Sequence, residues 1–359
     1  MHRKKILFLL PYPLHKAPSQ RFRVENLLFL LDGKFEYELS TFLSEDDWKI
    51  LYQPGHHVQK ALGIARGFLR RAALVLFGSF RYDYIFIHRE AAPLGPPVFE
   101  YILARILRKK YIFDFDDAIW IPNTSAQNKI ASRLKCFWKI RPICRWAHRV
   151  SAGNDFLVNY AEHSGRKTPA TRIPTVVNTE TRYNRIKQHQ EGRVVVGWTG
   201  SHSTLKFLEP LMPVIQRLQK ECDIDFLVIA DKKPDLPLSD WQFCPWNEQT
   251  EIEDLLKIDV GVMPLVHDAW SEGKCGFKLI QYLSLGIPAV ANSVGVNKLI
   301  VEDGINGFLA DDDDRWYLSL KQLITDASLR KRMGESGRAK MVAGYSISSQ
   351  SEAFLGLFS

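Results

Sequence analysis

SEGKCGFKLIQYLSLGIPAVANSVGVNKLIVEDGINGFLA, residues 271–310, decides the fold of this chain. Residues 278–285 read as a helix that Gly286-Ile287-Pro288 ends, and Pro288-Ala-Val-Ala-Asn restarts the chain as a short apolar strand. Gly273 and Gly276 precede the helix that carries Lys278, so backbone N–H groups and an ammonium converge where an anion such as a diphosphate is held. The plain alternative makes the glycines loop punctuation and Lys278 a solvated charge.

Working outward, the same alternation of short apolar runs and longer amphipathic ones fills the chain. The second half shows strands at 193–198, 225–230, 260–264 and 288–292, with helices at 205–221, 251–257 and 278–285 between them. In the first half, strands at 5–10, 84–88 and 111–115 are followed by helices at 19–31, 98–107 and 129–146. Strand-helix alternation implies parallel βαβ units, hence an α/β chain with two doubly wound, Rossmann-like sheets. The seam is expected in the polar stretch 178–192, giving an N-terminal domain over 1–185 and a C-terminal domain over 186–340. A last helix, 341–359, is expected to return to the first domain. Ligands of such sheets gather at the carboxyl ends of the strands.

At 359 residues, 46% hydrophobic and 25% charged, the chain has room for two cores. No run nears the roughly 18 apolar residues of a membrane span. The basic lead and the short run 6–10 lack the length and cleavage site of a signal peptide, so the run is expected as a first buried strand. Five cysteines, an odd set without a Cys-x-x-Cys pair, argue against a disulfide framework or a zinc site and for a reducing, cytoplasmic compartment. Residues 1–189 hold 31 Lys and Arg against 16 Asp and Glu, a net +15, whereas 190–359 hold 17 against 24, a net −7. Two acid-free stretches, 48–82 and 118–154, carry most of the basic excess and suit an anionic partner.

Gly197-Trp198-Thr199-Gly200-Ser201-His202-Ser203-Thr204 is a strand-to-helix turn followed by Lys206. Such a turn exposes N–H donors to a phosphate, although a plain cap at Ser201 or Ser203 has the same composition. It has neither the Walker lysine nor the Gly-x-Gly-x-x-Gly fingerprint, so an ATPase or an ordinary dehydrogenase is unsupported.

The stretch 271–310 resembles the donor-binding region of the large retaining glycosyltransferase family four. That family runs Glu-Gly-Phe-Gly, a helix with Glu-Ala-Met-Ala-x-Gly, Pro-Val-Val-Ala, a Gly pair and Asp-Gly-x-x-Gly. Here the matches are Gly276-Phe277-Lys278, Tyr282-Leu283-Ser284-Leu285-Gly286, Pro288-Ala289-Val290-Ala291, Gly295 and Asp303-Gly304-Ile305-Asn306-Gly307. The resemblance covers about residues 194–346 and implies the GT-B fold, two Rossmann-like domains facing across a cleft. It also implies a nucleotide diphosphate sugar in the C-terminal domain, held by Gly200, Ser201, Lys206, Gly276, Phe277, Lys278, Leu279 and Gln281, with no metal or other cofactor. Two departures stand out. The family's two glutamates, eight positions apart, fall on Gly273 and Gln281. Gln281 keeps an amide oxygen for ribose hydroxyls; Glu272 or Asp268 is the candidate to replace the first carboxylate, or the chemistry is reduced or altered.

In the first half, Asp114-Phe115-Asp116-Asp117 follows a strand where relatives carry a His-Asp pair facing the acceptor. Asp116 and Asp117 are the expected catalytic carboxylates, which orient an acceptor hydroxyl and take its proton, with His88 as second choice. A strand cap or a divalent-ion ligand set is the competing reading. The basic and aromatic stretches 130–149 and 63–81 suit helices on anionic lipid, or core helices with snorkelling charges. The expected activity is sugar transfer to a saccharide or lipid-linked acceptor of envelope polysaccharide or glycolipid, in the cytoplasm or at the inner membrane face. A catalytically weak scaffold of the same fold, an epimerase and a phosphorylase are the alternatives. A nucleic-acid binder rests on charge alone, and no nucleic acid is expected as a partner.

Overall fold

The computed structural model describes residues 3–51, 53–122 and 134–359. The chain divides into two compact units, one formed by Met1–Thr175 with Gln350–Ser359 and the other by Val176–Ser349. The first unit holds a parallel sheet of β1 (Lys5–Leu10), β2 (Glu36–Thr41), β3 (Tyr84–His88), β4 (Lys110–Phe115), β5 (Arg149–Ala152) and β6 (Thr171–Arg172), ordered β2-β1-β3-β4-β5-β6. Ile6 through Leu10 are each fully buried, as a parallel strand covered on both faces requires. The β3-β4 register sets His88 beside Asp114 at the carboxyl ends.

The second unit is built the same way. β7 (Val194–Gly200), β8 (Ile224–Ala230), β9 (Gln242–Pro245), β10 (Val260–Met263), β11 (Ala289–Ala291) and β12 (Gly307–Leu309) form a parallel sheet ordered β12-β11-β10-β7-β8-β9. Its core joins Val196, Trp198, Phe226, Val228 and Val262 from the strands to Ile215, Leu218 and Leu320 from the helices. This is the α/β architecture of two doubly wound sheets expected from the sequence.

Three expectations are corrected in detail. The helix over 205–221 is two short 3-10 segments, His202–Phe207 and Glu209–Leu211, followed by an α-helix, Met212–Glu221. Pro210 and Pro213 explain the break, because neither has the N–H that one helix running through 205–221 would need, and each stands in the first turn of a separate segment, where none is required. Of the helix over 129–146, residues 129–133 lie outside the described ones; the helix runs Ile140–Trp146, and Pro142 is accommodated in its first turn instead of interrupting it. The polar stretch 178–192 is no loose linker. Tyr183 is fully buried, Lys187 Nζ pairs with Asp259 at 3.0 Å, and His189 Nε2 lies 2.8 Å from the Gly286 carbonyl, so the stretch is strapped to the second unit. The division between units accordingly falls at 175/176, ten residues before the expected boundary.

The C-terminal segment crosses back at 349/350. In the helix Ile347–Gly356 and the residues after it, Phe354 and Phe358 are buried. Phe358 packs its ring against Phe35, Tyr84, Phe86 and Phe8 at centroid distances of 5.6 to 6.2 Å. Among the described residues no helix is long and apolar enough to cross a membrane.

Candidate functional site

In the second unit the site is assembled around the end of β7. The helix Phe277–Ser284 starts at Gly276, whose φ of +66° is the left-handed conformation that glycine adopts without strain. A Cβ there would also lie 2.2 Å from Ile300 Cδ1, so a side chain would have to displace Ile300 as well as strain the backbone. The helix is held to β7 by Tyr282, fully buried, whose hydroxyl accepts the Thr199 N–H at 2.9 Å. The Tyr282 ring lies against Gly261, where a Cβ would come within 2.4 Å of it. One turn before Tyr282, Lys278 runs beside Gly200, where a Cβ would come within 3.0 Å of Lys278 Cε and 2.4 Å of the Trp198 ring. The Lys278 ammonium sits 5.3 Å from the Trp198 ring centroid. Gly200, Trp198 and Lys278 are thus brought together, with the ammonium stem over an aromatic face and the glycine leaving the backbone open.

The remaining donor-side candidates are placed as follows. Ser201 Oγ lies 2.8 Å from Ser203 Oγ, and the Ser201 carbonyl takes the Thr204 N–H and hydroxyl, both at 2.9 Å. The segment after it is a short 3-10 helix with little dipole, and the Asp231 carboxylate already accepts the His202 N–H at 2.6 Å. Lys206 is exposed, its ammonium 5.2 Å from the Phe207 ring centroid. Phe277 opens the helix and is half-buried, whereas the Leu279 side chain is fully buried in the core and offers a ligand nothing but backbone. Glu272 ends the short helix Ala269–Glu272; its Cα lies 3.2 Å from where a Gly295 Cβ would be. Asp268 caps that helix by accepting the Ser271 N–H at 2.7 Å, which uses the carboxylate considered as a replacement for the first family glutamate.

Gln281 is buried. Its amide donates to Tyr183 Oη at 2.8 Å and to Glu251 Oε1 at 3.3 Å. Glu251, also buried, accepts from Trp246 Nε1 at 3.1 Å and from Arg182 Nη2 at 2.9 Å. A carboxylate missing from the helix is therefore present beside it, supplied from the helix Glu251–Leu255. Sequence reasoning missed Glu251, Arg182 and Tyr183. Glu251 is one of three acidic residues in a first helical turn, where acids are favoured anyway, so its type carries no special signal.

The first unit gathers its own cluster at the ends of β3 and β4. Asp114, fully buried, accepts from Ser151 Oγ at 2.7 Å, lies 2.9 Å from His88 Nδ1, and is paired with the Arg23 guanidinium. Burial alone would raise its carboxyl; the Arg23 charge and the His88 hydrogen bond hold it below the ordinary carboxylate value. His88 Nε2 lies 2.9 Å from Ser19 Oγ, and that hydroxyl donates to Asp116 Oδ1 at 2.7 Å. Arg89 donates to Asp116 Oδ1 through Nη2 at 2.8 Å and through Nε at 3.1 Å, and it also pairs with Asp117. Arg89 adopts φ +63°, a strained conformation for a side chain of this size, which the surrounding ion pairs hold in place. Against burial, Arg89 keeps Asp116 far below the usual carboxylate range.

Asp116, Asp117 and His88 therefore do come together, with Ser19, Arg23 and Arg89 as partners that the sequence reading did not single out. Ser19 and Arg23 both stand in the helix Pro18–Arg23 that follows β1, and Arg89 follows His88 directly at the end of β3; their place after the carboxyl ends of strands was the available signal. A carboxylate with so low a proton affinity orients a hydroxyl well and takes its proton poorly. Among the described residues no group of three His, Cys, Asp or Glu could hold a metal ion.

Residues 193–326 match the glycosyl transferases group 1 family. The lipopolysaccharide core biosynthesis glycosyltransferase LpsE of Rhizobium meliloti (strain 1021) is 27% identical over 118 residues, 32% of this chain and 33% of that protein, so the match spans about a third of the relative's length. Among solved structures, the sucrose-phosphate synthase (tll1590) from Thermosynechococcus elongatus superposes with a TM-score of 0.73 at 14% identity over 99% of this chain and 98% of that one. Anabaena Alr3699/HepE in complex with UDP-glucose gives 0.68 at 16% identity over 98% and 99%. A glycosyltransferase from Rickettsia africae ESF-5 gives 0.69 at 12% identity over 100% and 98%. The structural likenesses carry the fold, two parallel sheets as in the GT-B glycosyltransferases. The Gly200-Lys278 contact lies inside residues 193–326, the span that matches the glycosyl transferases group 1 family.

Proposed function

We propose that the chain is a glycosyltransferase that takes a sugar from a nucleotide diphosphate donor bound to its second unit. The observation that carries this reading is the seating of Lys278 beside Gly200 and Trp198 at the carboxyl end of β7, inside the family segment. There an ammonium and an uncovered backbone turn offer a diphosphate both charge and approach. A uridine nucleotide is the first donor to try, since structures of a protein of similar fold hold UDP and UDP-glucose. Lys278 supplies countercharge on this reading, and no metal or organic cofactor is assigned.

The Ser19, His88, Arg89, Asp116 and Asp117 cluster is read as the acceptor side, where Asp116 and Ser19 orient a hydroxyl and Arg89 holds the two carboxylates in place. A saccharide or lipid-linked acceptor of envelope polysaccharide or glycolipid, used at the cytoplasmic face of a membrane with retention at the anomeric carbon, suits the basic first half and the relative acting in lipopolysaccharide core biosynthesis. The test is turnover of a panel of nucleotide sugars, with and without glycolipid acceptors, by the full chain. Release of the nucleotide from at least one donor is expected. A second reading, a scaffold that binds donor without turning it over, draws on the absence of carboxylates at Gly273 and Gln281; donor binding with no turnover under any acceptor would favour it.

A further inference from the structure

The helix His57–Ala73, continued by Leu74–Gly78 and Ser79–Arg81, is packed with its polarity reversed. Its inner row, four residues apart, is Gly63, Gly67, Arg71 and Val75, all buried. The glycines let it lie close to its neighbours: a Cβ at Gly63 would come within 2.4 Å of Asp47 Oδ1, and one at Gly67 within 2.6 Å of the Phe42 ring. Arg71 is buried by donating to the carbonyls of Ala91, Ser40 and Leu10. The outer side carries Gln59, Arg66 and Arg70 and, beside them, an apolar row. Leu62, Leu69 and Leu76, seven residues apart and hence on one face, are 53%, 72% and 42% exposed, and Phe77 and Phe80 after them are 81% and 60% exposed. A helix of a water-soluble surface places these types the other way round.

The patch continues onto the next helical segment. Lys109 donates to the Phe80 carbonyl at 3.3 Å and lies 5.7 Å from its ring centroid, and exposed Ile106, the last residue of Ile102–Ile106, stands three residues before it. Residues 48–82 hold six basic residues and no acid; Arg71 is buried, Arg66 pairs with Asp47 and Lys49 with Asp46, which leaves exposed Arg70 and Arg81 on this helix, and exposed Arg105 and Arg108 flank Ile106. Apolar rings and leucines rimmed by Arg and Lys match the head-group boundary of an anionic bilayer, where the apolar face leaves water and the cations meet lipid phosphate.

We propose that this face of the first unit docks on anionic lipid, with Leu69, Leu76, Phe77 and Phe80 inserted at head-group depth. The proposal rests on the membrane-proximal reading above for its choice of lipid over protein, and it gives that reading a surface. Vesicle binding requires no donor, so its failure would leave the transferase reading standing, and a failure of transfer would leave the docking standing.

The experiment is flotation of the full chain with vesicles of phosphatidylcholine alone or mixed with phosphatidylglycerol. The natural chain should float with the mixed vesicles. The double variant Leu69→Ser/Phe77→Ser should lose on the order of tenfold or more in partitioning. Arg81→Glu/Arg105→Glu should lose the preference for anionic lipid. All four positions are exposed, so circular dichroism and the thermal shift with UDP-glucose should stay those of the natural chain. Absence of flotation, or equal flotation of the natural chain and both variants, would overturn the proposal. So would a dimer in sedimentation that Leu69→Ser/Phe77→Ser dissolves, since a second copy would then cover the face.

Discussion

Asp114 shows how a single carboxylate organises the end of the first sheet. It joins β3 through His88, β5 through Ser151 and the segment after β1 through Arg23, and it is ionised in spite of full burial. Because its folded pKa lies below the unfolded one, the stability it contributes is present above the ordinary carboxylate value near pH 4 and is lost as pH falls through the folded value. Asp114→Asn leaves the Arg23 guanidinium buried without its charge partner and should cost about 3–5 kcal/mol at neutral pH. Thermal unfolding at neutral pH and at about pH 3 checks this. The gap in Tm between variant and natural chain should narrow in acid, and a gap independent of pH would show that Asp114 acts by shape alone. Lys278 is the corresponding residue of the second unit. Lys278→Ala should weaken UDP-glucose binding by about 1.5–3 kcal/mol, the worth of a charge-assisted contact, as read by calorimetry. Unchanged affinity would remove the diphosphate from this position.

The helix Phe277–Ser284 was legible in sequence because glycine, amphipathic run and Gly-x-Pro stop follow one another without a gap, and each carries a backbone consequence. Strands buried on both faces were legible for the same reason. Their edge neighbours were not: β2 reads Glu-Tyr-Glu-Leu-Ser-Thr and β9 reads Gln-Phe-Cys-Pro, because an edge strand tolerates charge and proline that a central one excludes. The Glu251-Gln281 contact was hidden for a different reason. It joins residues 30 apart whose types are ordinary on a helix surface, and only the fold buries them. Gly276 is where element and site depend on each other. Gly276→Ala meets both the left-handed backbone and Ile300, so it should cost about 1–3 kcal/mol in stability. It should also lower donor affinity by tilting the helix that carries Lys278. Crystallography of the variant would reveal the tilt; a variant with natural Tm and natural donor affinity would show that the helix start tolerates a side chain.

At the scale of the molecule the two units differ in charge and share a chain that passes between them twice, at 175/176 and at 349/350. The second passage makes residues 350–359 part of the first unit's core, so residues 1–175 are completed by a segment from the far side of the second unit in sequence. Phe358 carries this closure, being buried among four rings of β1, β3 and the chain before β2 as well as Phe354. Phe358→Ala removes a buried aromatic side chain and should cost the first unit about 3–5 kcal/mol. The loss should be confined to the first unit, because the rings packed on Phe358 all belong to it. Calorimetry should therefore show one transition lowered by several degrees while UDP-glucose still raises the other, a ligand acting by mass action only on the unit that binds it. If both transitions fell together and the ligand lost its effect, the two units would unfold as one cooperative body.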